Sequence, residues 1–429
     1  MIVSAAALAQ PRPVTLDDAV KLALQRNPDL QRQILLSLSA EQDQVIARSA
    51  ILPRLDFNAS RSQVRQGEGT PRLIPGSNVL TTPPSVVTNG YGASVVLSQL
   101  IFDGGKWWNN LAAVDLGLES SKAQVEEQRL QITYLVEQRF YELVRAQRQL
   151  QVFGDAATRS RDQANYTQRL FEGGRATQAD VYAARANRDN DEVQRLGQER
   201  LVELARADLA VAVGVDPGEP LTVAEPPDLM KDPAQPPPPA DAIARAMQNR
   251  PSLKAFARTA DHNRKLASVA KGDYWPTVSI GARYDRSTQT LGEFTDRLDR
   301  NAQLSGAITL SWNVFNGLST TANVRKADLQ VALAENDLAS GRRNVASDVQ
   351  KAVAQLATAR QQARVALQAE QTAKEGLRLA RTRQEVGVGT QLEVRDAELK
   401  LTQAQLNVVG SLVDGREAEA ALRRAQGGT

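Results

Sequence analysis

The stretch GGRATQADV at residues 173–181 returns later in the chain as VGVGTQLEV at residues 386–394. Both copies place a glycine-containing turn directly before a Thr-x-x-acid motif, which is typical of the start of a helix. The separation is 386 − 173 = 213 residues, and FDG at 102–104 matches FNG at 315–317 at the same separation. Two copies of a long supersecondary unit therefore follow one another along the chain.

The duplication extends towards the N-terminal end of each copy. NPDL at 27–30 matches RPSL at 250–253, with a separation of 250 − 27 = 223 residues. The change of ten residues falls in one turn-rich loop, where a change of length is best tolerated. We predict a first repeat over 10–213, a Pro-rich linker over 214–239 and a second repeat over 240–429. Residues 1–9 resemble the remnant of a secretory signal, since Ala-Leu-Ala precedes Gln10.

The composition excludes several classes of protein. The chain has no cysteine, so disulfides and thiolate metal sites are ruled out, and its one histidine, His262, cannot form a His-based catalytic pair. We interpret His262 as a helix-surface residue. The net charge of +3 is too small to indicate a nucleic-acid partner, because the charges of both signs are interspersed along helices. Aromatic residues make up only 4%, which favours long helices over an ordinary globular core.

Four segments alternate apolar and polar residues with a period of two, which predicts strands with one apolar face. Their apolar members are Leu55, Phe57, Ala59, Tyr91, Ala93, Val95, Leu97, Val278, Ile280, Ala282, Tyr284, Leu304, Gly306, Ile308, Leu310, Trp312 and Val314. The other face carries Asp56, Asn58, Ser60, Ser279, Arg283 and Asp285.

After each pair of strands comes a proline-free segment that predicts a very long helix. The two segments span 104–170 and 317–383, which are 170 − 104 + 1 = 67 and 383 − 317 + 1 = 67 residues. The second has an unbroken seven-residue repeat of Val or small apolar residues, which imposes a left-handed supercoil. Its seam is Val324, Val331, Leu338, Val345, Ala352, Ala359, Ala366, Ala373 and Ala380.

The apolar faces of the four strands need either a helical core or lipid. In lipid, a sheet must close, because an open edge leaves backbone groups without hydrogen bonds. Four strands are too few to close, since membrane barrels begin at about eight strands. Three copies would supply 4 × 3 = 12 strands. Aromatic residues near the strand ends suit a membrane interface, although ordinary core packing is the alternative.

These features resemble the TolC-type outer-membrane efflux protein family from Val14 to Arg424. The marks are Asn27-Pro28, a proline before a strand at Pro53 and Pro276, FDGG at 102–105, and the two Gly-x-x-Thr-x-x-acid-Val turns. The resemblance implies a mainly α fold with membrane β: a homotrimer whose 12-stranded outer-membrane β-barrel continues into a periplasmic α-helical barrel. It implies a passive, water-filled exit duct of a tripartite efflux pump or a type I secretion system in a Gram-negative bacterium.

The resemblance also implies partners and site residues. The partners would be a periplasmic adaptor protein, an inner-membrane pump and outer-membrane lipid, with no cofactor and no enzymatic activity. The family's periplasmic gate carries over to Asp180, Glu393 and Asp396. The adaptor-docking turns carry over to Gly173, Gly174, Thr177, Gly387, Gly389 and Thr390.

One departure from the family's pattern concerns the lock of the closed gate. The arginine that precedes the Thr of the second turn in the archetype is replaced by Gly389, so the lock would use Arg175, Arg383 or Arg395. A second interpretation stays open for Asp180 and Glu393, because both occupy the third position of a capping box and could serve only as caps.

Two other classes of function are alternatives. A soluble coiled-coil scaffold would explain the heptads, but not the opposite polarity of the two strand faces. The sequence shows no set of residues that would support an enzymatic activity. Solubility separates the first alternative from a barrel, since a scaffold stays in aqueous extract and a barrel needs detergent.

Overall fold

The computed structural model of the protein describes residues 13–76, 78–218, 221–296 and 300–428, so the expected signal remnant at 1–9 lies outside the described residues. The first half contains α1 Leu16–Arg26, α2 Pro28–Ser49, β1 Arg54–Gln66, β2 Arg72–Leu73, β3 Leu80–Thr81, β4 Val86–Phe102, α3 Lys106–Glu172 and α4 Gln178–Val213. The second half contains α5 Pro239–Asn249, α6 Pro251–Lys271, a 3₁₀ turn Gly272–Tyr274, β5 Thr277–Thr288, α7 Leu291–Thr295, β6 Ala302–Ser311, α8 Ser319–Glu385 and α9 Gln391–Gln426.

The predicted long helices are confirmed. Both α3 and α8 have 67 residues, and each begins and ends two residues later than expected. Along α8 the seam positions Val345, Ala352, Ala359 and Ala366 are all buried. Small side chains on the seam allow neighbouring helices to approach closely. Among the described residues, no helix combines the length and the apolar character needed to cross a membrane.

The chain divides into two compact units. The first comprises residues up to 38 together with 120–257 and 336 onwards, and the second comprises 39–119 and 258–335. The core of the first unit includes the fully buried side chains of Val136, Phe140, Leu143 and Leu209. It brings α1, α3 and α4 together.

In each repeat two helices meet at a proline, and the residue before that proline stabilises the break between them. The Asn27 side chain accepts hydrogen bonds from the backbone N–H groups of Asp29 and Leu30 and donates one to the carbonyl of Ala212 at 3.0 Å. Its counterpart Arg250 forms a buried ion pair with Glu127 at 2.7 Å. The same break in the helix is therefore stabilised by an amide in one repeat and by a guanidinium in the other.

The Pro-rich linker packs more tightly than a surface connector would. Leu221, Val223 and Leu229 are buried within the core of the first unit. The Arg416 guanidinium, on α9, donates to the backbone carbonyls of Asp228 and Lys231. The linker is thereby held against α9 by hydrogen bonds from the Arg416 side chain to its backbone carbonyls, which its own sequence does not reveal.

The second unit contains an antiparallel sheet in the order β1-β4-β5-β6. The register places Phe57, Val95, Tyr284 and Leu304 side by side on one face, with the row of Leu55, Leu97, Ala282 and Gly306 next to it. The other face gathers Asp56, Asn58, Arg283 and Asp285. The predicted division into an apolar and a polar face is confirmed. The loops also contain the short β2–β3 pair and α7, which the sequence did not predict.

The FDG motif fixes the path of the chain from β4 into α3. The Asp103 carboxylate accepts a hydrogen bond from the backbone N–H of Trp107 at 2.7 Å and so caps the helix. Gly104 has a φ of +71°, and a Cβ there would lie 2.5 Å from the carbonyl oxygen of Gly272. Only glycine satisfies both conditions. His262 is half-buried, with Nδ1 2.7 Å from the Ala113 carbonyl, so its interpretation as a surface residue was wrong.

Candidate functional site

The α3–α4 turn is closed by a complete capping box. Gly174 has a φ of +72°, whereas Gly173 has neither a positive φ nor a close approach. The Thr177 hydroxyl oxygen accepts from the backbone N–H of Asp180, and the Asp180 carboxylate accepts from the hydroxyl and backbone N–H of Thr177 at 2.7 and 2.8 Å. These hydrogen bonds, with the hydroxyl contributing most, hold the pKa of Asp180 below its ordinary value. Asp180 is therefore a cap in this structure.

The α8–α9 turn has the same sequence pattern but a different set of contacts. Gly387 has a φ of +80°, and a Cβ on Gly389 would lie 2.8 Å from the backbone nitrogen of Gln384. The Thr390 hydroxyl caps the backbone N–H of Glu393 at 3.2 Å. The Glu393 carboxylate instead pairs with Arg383 across the turn at 3.4 Å. The capping box is thus only half formed here.

Asp396 is exposed and pairs with Lys400 one turn further along α9, with 2.6 Å between carboxylate and ammonium. Glu393, Asp396 and Lys400 line an open groove of about 870 Å³ whose other walls are mainly small residues of α8 and α9. The acids of the second turn therefore face an open surface rather than a packed interior.

The two turns lie side by side in the first unit. The Gln391 side-chain amide approaches the backbone carbonyl of Asp180 at 3.5 Å, although the two residues are 211 positions apart. The fold therefore brings together Asp180 and the helix start that carries Glu393.

The shortest ion pair between α4 and α9 is formed by Arg395 and Asp191. The guanidinium donates two hydrogen bonds to the carboxylate, at 2.7 and 2.9 Å. The side chains are only 17% and 11% exposed. A bidentate ion pair of this kind fixes the relative orientation of the two side chains and is stronger than a single hydrogen bond. The hydrogen bonds with Asp191 raise the pKa of Arg395.

Further charged groups surround this ion pair. On α9, Glu398 is almost fully buried and pairs with Arg381 of α8 at 2.9 Å. On α3, Arg159 donates to the Thr402 hydroxyl at 3.0 Å, and burial lowers the pKa of its guanidinium. Arg159, Asp191, Arg395 and Glu398 line a cavity of about 330 Å³. We call these residues, with Arg381 and Thr402, the α9 charge cluster.

The three arginines that the sequence offered as a lock are placed differently. Arg383 stays within its own turn on Glu393, and Arg395 joins two helices through Asp191. Arg175 is exposed on the first turn, and it forms no ion pair with any acid in the part of the chain that the structure describes.

Sequence reasoning missed Asp191, Glu398, Arg381 and Arg159. One signal was present for Glu398, which lies four residues after Val394 on the apolar seam of α9 and so replaces an apolar residue with a charge. Asp191 carries no comparable signal, because its partner is 204 residues away.

The second turn also presents apolar side chains to solvent. Val386, Val388 and Leu392 are each about two-thirds or more exposed. Exposed apolar clusters surrounded by polar residues mark interaction sites more often than isolated apolar residues do. The tip of this turn is therefore a candidate contact surface.

The sequence matches the outer membrane efflux protein family over residues 19–215 and 242–428. These two segments make up most of the chain, and the chain belongs to this family. Membership places the protein in the outer membrane of a Gram-negative bacterium and makes efflux through a channel its role. The soluble scaffold is not favoured by this finding.

Individual relatives agree with the family assignment. The chain is 24% identical over 94% of its length to the probable efflux pump outer membrane protein TtgC of Pseudomonas putida, covering 83% of that protein. It is 23% identical over 92% of its length to the outer membrane protein TolC of Vibrio cholerae, covering 87% of that protein. The solved structure of the Campylobacter jejuni CmeC outer membrane channel shares the fold, with a TM-score of 0.80 and 18% identity over 96% of this chain and 85% of that one.

Proposed function

We propose that three copies of this chain assemble into a passive, water-filled exit duct. The observation that supports this most directly is the four-stranded sheet, whose outer strands β1 and β6 have no further strand beside them among the described residues. Its apolar face is open: Phe57, Leu304 and Ile308 are 69%, 78% and 75% exposed. Twelve strands from three copies would pair every edge and turn these residues towards lipid.

The test of assembly is the mass of the protein in mild detergent. We expect three copies per particle, with the helix and strand content of the fold retained. A stable monomer with full helix and strand content would contradict the trimer. Aqueous extraction without detergent would instead contradict the membrane barrel.

Each copy contributes two repeats to this duct, over 10–213 and 240–429, with the linker 214–239 between them. In this proposal the long helices build a periplasmic α-helical barrel that continues from the 12-stranded barrel. The role is transport without a catalytic step or a cofactor. The duct would serve a tripartite efflux pump or a type I secretion system, in which an inner-membrane pump loads the substrate.

The periplasmic gate lies, in this proposal, at the two helix turns. Asp396 and Glu393 lie on an open groove, and a threefold axis would bring each of them close to its symmetry mates, so that rings of negative charge favour cations at the mouth. Support is stronger for Asp396 than for Asp180, because one carboxylate oxygen of Asp180 already accepts two hydrogen bonds from Thr177 as a cap. Lys400 offsets part of the charge of Asp396.

The lock of the closed state is assigned in this proposal to Arg395 and Asp191. This ion pair joins α9 to α4 and is shielded from solvent, whereas Arg383 pairs only within its own turn. Opening the gate by separating these helices would require the bidentate contact to break. Glu398 and Arg159 of the α9 charge cluster, which line the same cavity, would remain near the separated groups.

The adaptor would dock on the turns formed by Gly173, Gly174, Thr177, Gly387, Gly389 and Thr390. The glycines allow the tight path of the chain, and the exposed Val386, Val388 and Leu392 supply apolar contact area. Replacing Val388 and Leu392 by Ser should weaken adaptor capture without unfolding the turn, because neither side chain is buried. Unchanged capture would remove this surface from the interface.

A further inference from the structure

The arginines on the two faces of the sheet differ in whether an acidic side chain pairs with them. On the polar face, Arg54 pairs with Asp56 at 2.9 Å and Arg283 pairs with Asp285. On the apolar face, Arg61 lies over the ring of Tyr91 at 5.6 Å. Among the residues that the structure describes, Arg61 and its same-face neighbour Arg65 form no ion pair with an acid.

Arg286 belongs to the same face and is the most unusual of these residues. The register places it in a row with Ala59, Ala93 and Ala302, one row before Arg61. Its side chain is 3% exposed, Nη2 donates to the Glu293 carbonyl at 2.7 Å, and Nε and Nη1 have no hydrogen-bond partner among the described residues. A buried guanidinium is costly, and the described contacts of this one are the Glu293 carbonyl and the ring of Phe294, whose centroid lies 5.6 Å from it.

The height of these arginines on the sheet matches a membrane boundary. The apolar face begins at Val278 near the helices, and Arg286 is eight residues further along β5. At about 3.4 Å per residue and a tilt of about 40°, Arg286 lies about 20 Å and the Arg61 row about 25 Å from that start. The apolar band of an outer-membrane barrel is about 25 Å tall. The Arg61 row therefore lies where the hydrocarbon ends, and Arg286 lies about 5 Å inside that boundary.

We propose that Arg61 and Arg65 form a binding site for the phosphate groups of a glycolipid in the outer leaflet, and that the covered charge of Arg286 adds to the positive potential beside it. This proposal rests on the proposed barrel, because the apolar face must be the lipid face. The site lies at the hairpin end of the sheet, which is the end remote from the long helices. Long arginine side chains can reach the headgroup level while their stems cover apolar surface. Positive charge close to anionic headgroups strengthens the attachment of the protein to the membrane.

The experiment uses the detergent-purified full chain, with phosphorylated lipid A as probe and the same lipid with its phosphates removed as control. Lipid retained per protein would be measured by native mass spectrometry. We expect the natural protein to retain the phosphorylated lipid preferentially. Replacing both Arg61 and Arg65 by Gln should weaken this binding by about 25-fold, or about fivefold for each arginine. Arg286→Gln should weaken it by less than fivefold, because its guanidinium is covered and acts only through its charge.

Arg54→Gln is the matched control, since it removes the same charge from the polar face of β1. It should change lipid binding less than twofold. Equal retention of the two lipids by the natural protein would overturn the site, as would an equal loss in Arg54→Gln. Displacement of the lipid by inorganic phosphate at the same concentration would show a simple anion site and would overturn the headgroup assignment. If Arg286→Gln fails to fold, the Arg61→Gln/Arg65→Gln variant decides the question.

Flotation with neutral phospholipid vesicles separates this proposal from the proposed function. A protein that inserts but does not prefer phosphates contradicts only the arginine site. A protein that does not insert contradicts the barrel and the site together.

Discussion

Replacing Arg395 by Gln is the sharpest test of the lock. Removing one partner of a buried ion pair costs about 3–5 kcal/mol. Because Arg395 and Asp191 keep 17% and 11% exposure, water reaches the remaining carboxylate, and we expect the lower end, about 3 kcal/mol. If the pair exists only in the closed state, the closed-to-open equilibrium shifts by about 140-fold in each protomer.

The assay is single-channel recording in a planar bilayer, combined with a double-mutant cycle. We expect Arg395→Gln to raise the fraction of time in the open state, and Asp191→Asn to do the same. The two changes together should have much less than the sum of their separate effects, because they remove one shared interaction. Arg378→Gln is the control, since Arg378 pairs within α8 with Glu375 and both are exposed. It should change gating little, as exposed pairs contribute about 0–1 kcal/mol.

Two results would refute the reasoning. A coupling energy below about 0.5 kcal/mol would show that the bidentate contact is energetically minor. Strong coupling in urea unfolding with no change in open time would show that the pair stabilises the fold and does not hold the gate.

The double variant Glu393→Ala/Asp396→Ala should show a weaker preference for cations in single-channel recordings, while the start of helix α9 persists. Unchanged ion selectivity in an assembled channel would exclude both residues from the gate. Ile308→Arg, on the apolar face of β6, should destabilise the protein in membranes by about 2–4 kcal/mol, whereas Thr309→Arg on the opposite face should be mild; equal damage would indicate a soluble core. Burial raises the pKa of Glu137 above 4.5, so the folded chain binds more protons and the free energy of unfolding falls as pH rises through the range just above 4.5. Glu137→Gln should flatten that slope in unfolding measured from about pH 4.5 to 7, and an unaltered slope would assign it to other groups.

The two turns show how one motif can have two sets of contacts. Thr177 and Thr390 both cap their helices, as the Thr-x-x-acid motif predicted. Asp180 returns the hydrogen bond to its cap, but the longer Glu393 side chain reaches Arg383 instead. The charge of the second turn is therefore partly neutralised within the turn, which the motif alone does not reveal.

The gate acids were predicted by resemblance, and their partners were not. Lys400 beside Asp396 could be expected from the i,i+4 spacing on a helix. The contact between Gln391 and the Asp180 carbonyl required the two repeats to be placed side by side. Whether these acids control the channel remains a prediction, and the recordings described above test it.

The sequence by itself determined the long helices and the four long strands of this protein. The seven-residue seam specified the 67-residue helices, and the period-two alternation specified which face of each strand is apolar, because both patterns act through neighbours within a few residues. Only the tertiary structure decided the pairing of Arg395 with Asp191 and the position of Arg286 among alanines. Each of these depends on residues far apart in the chain, and it is the packing of helices and the register of strands that brings their side chains together.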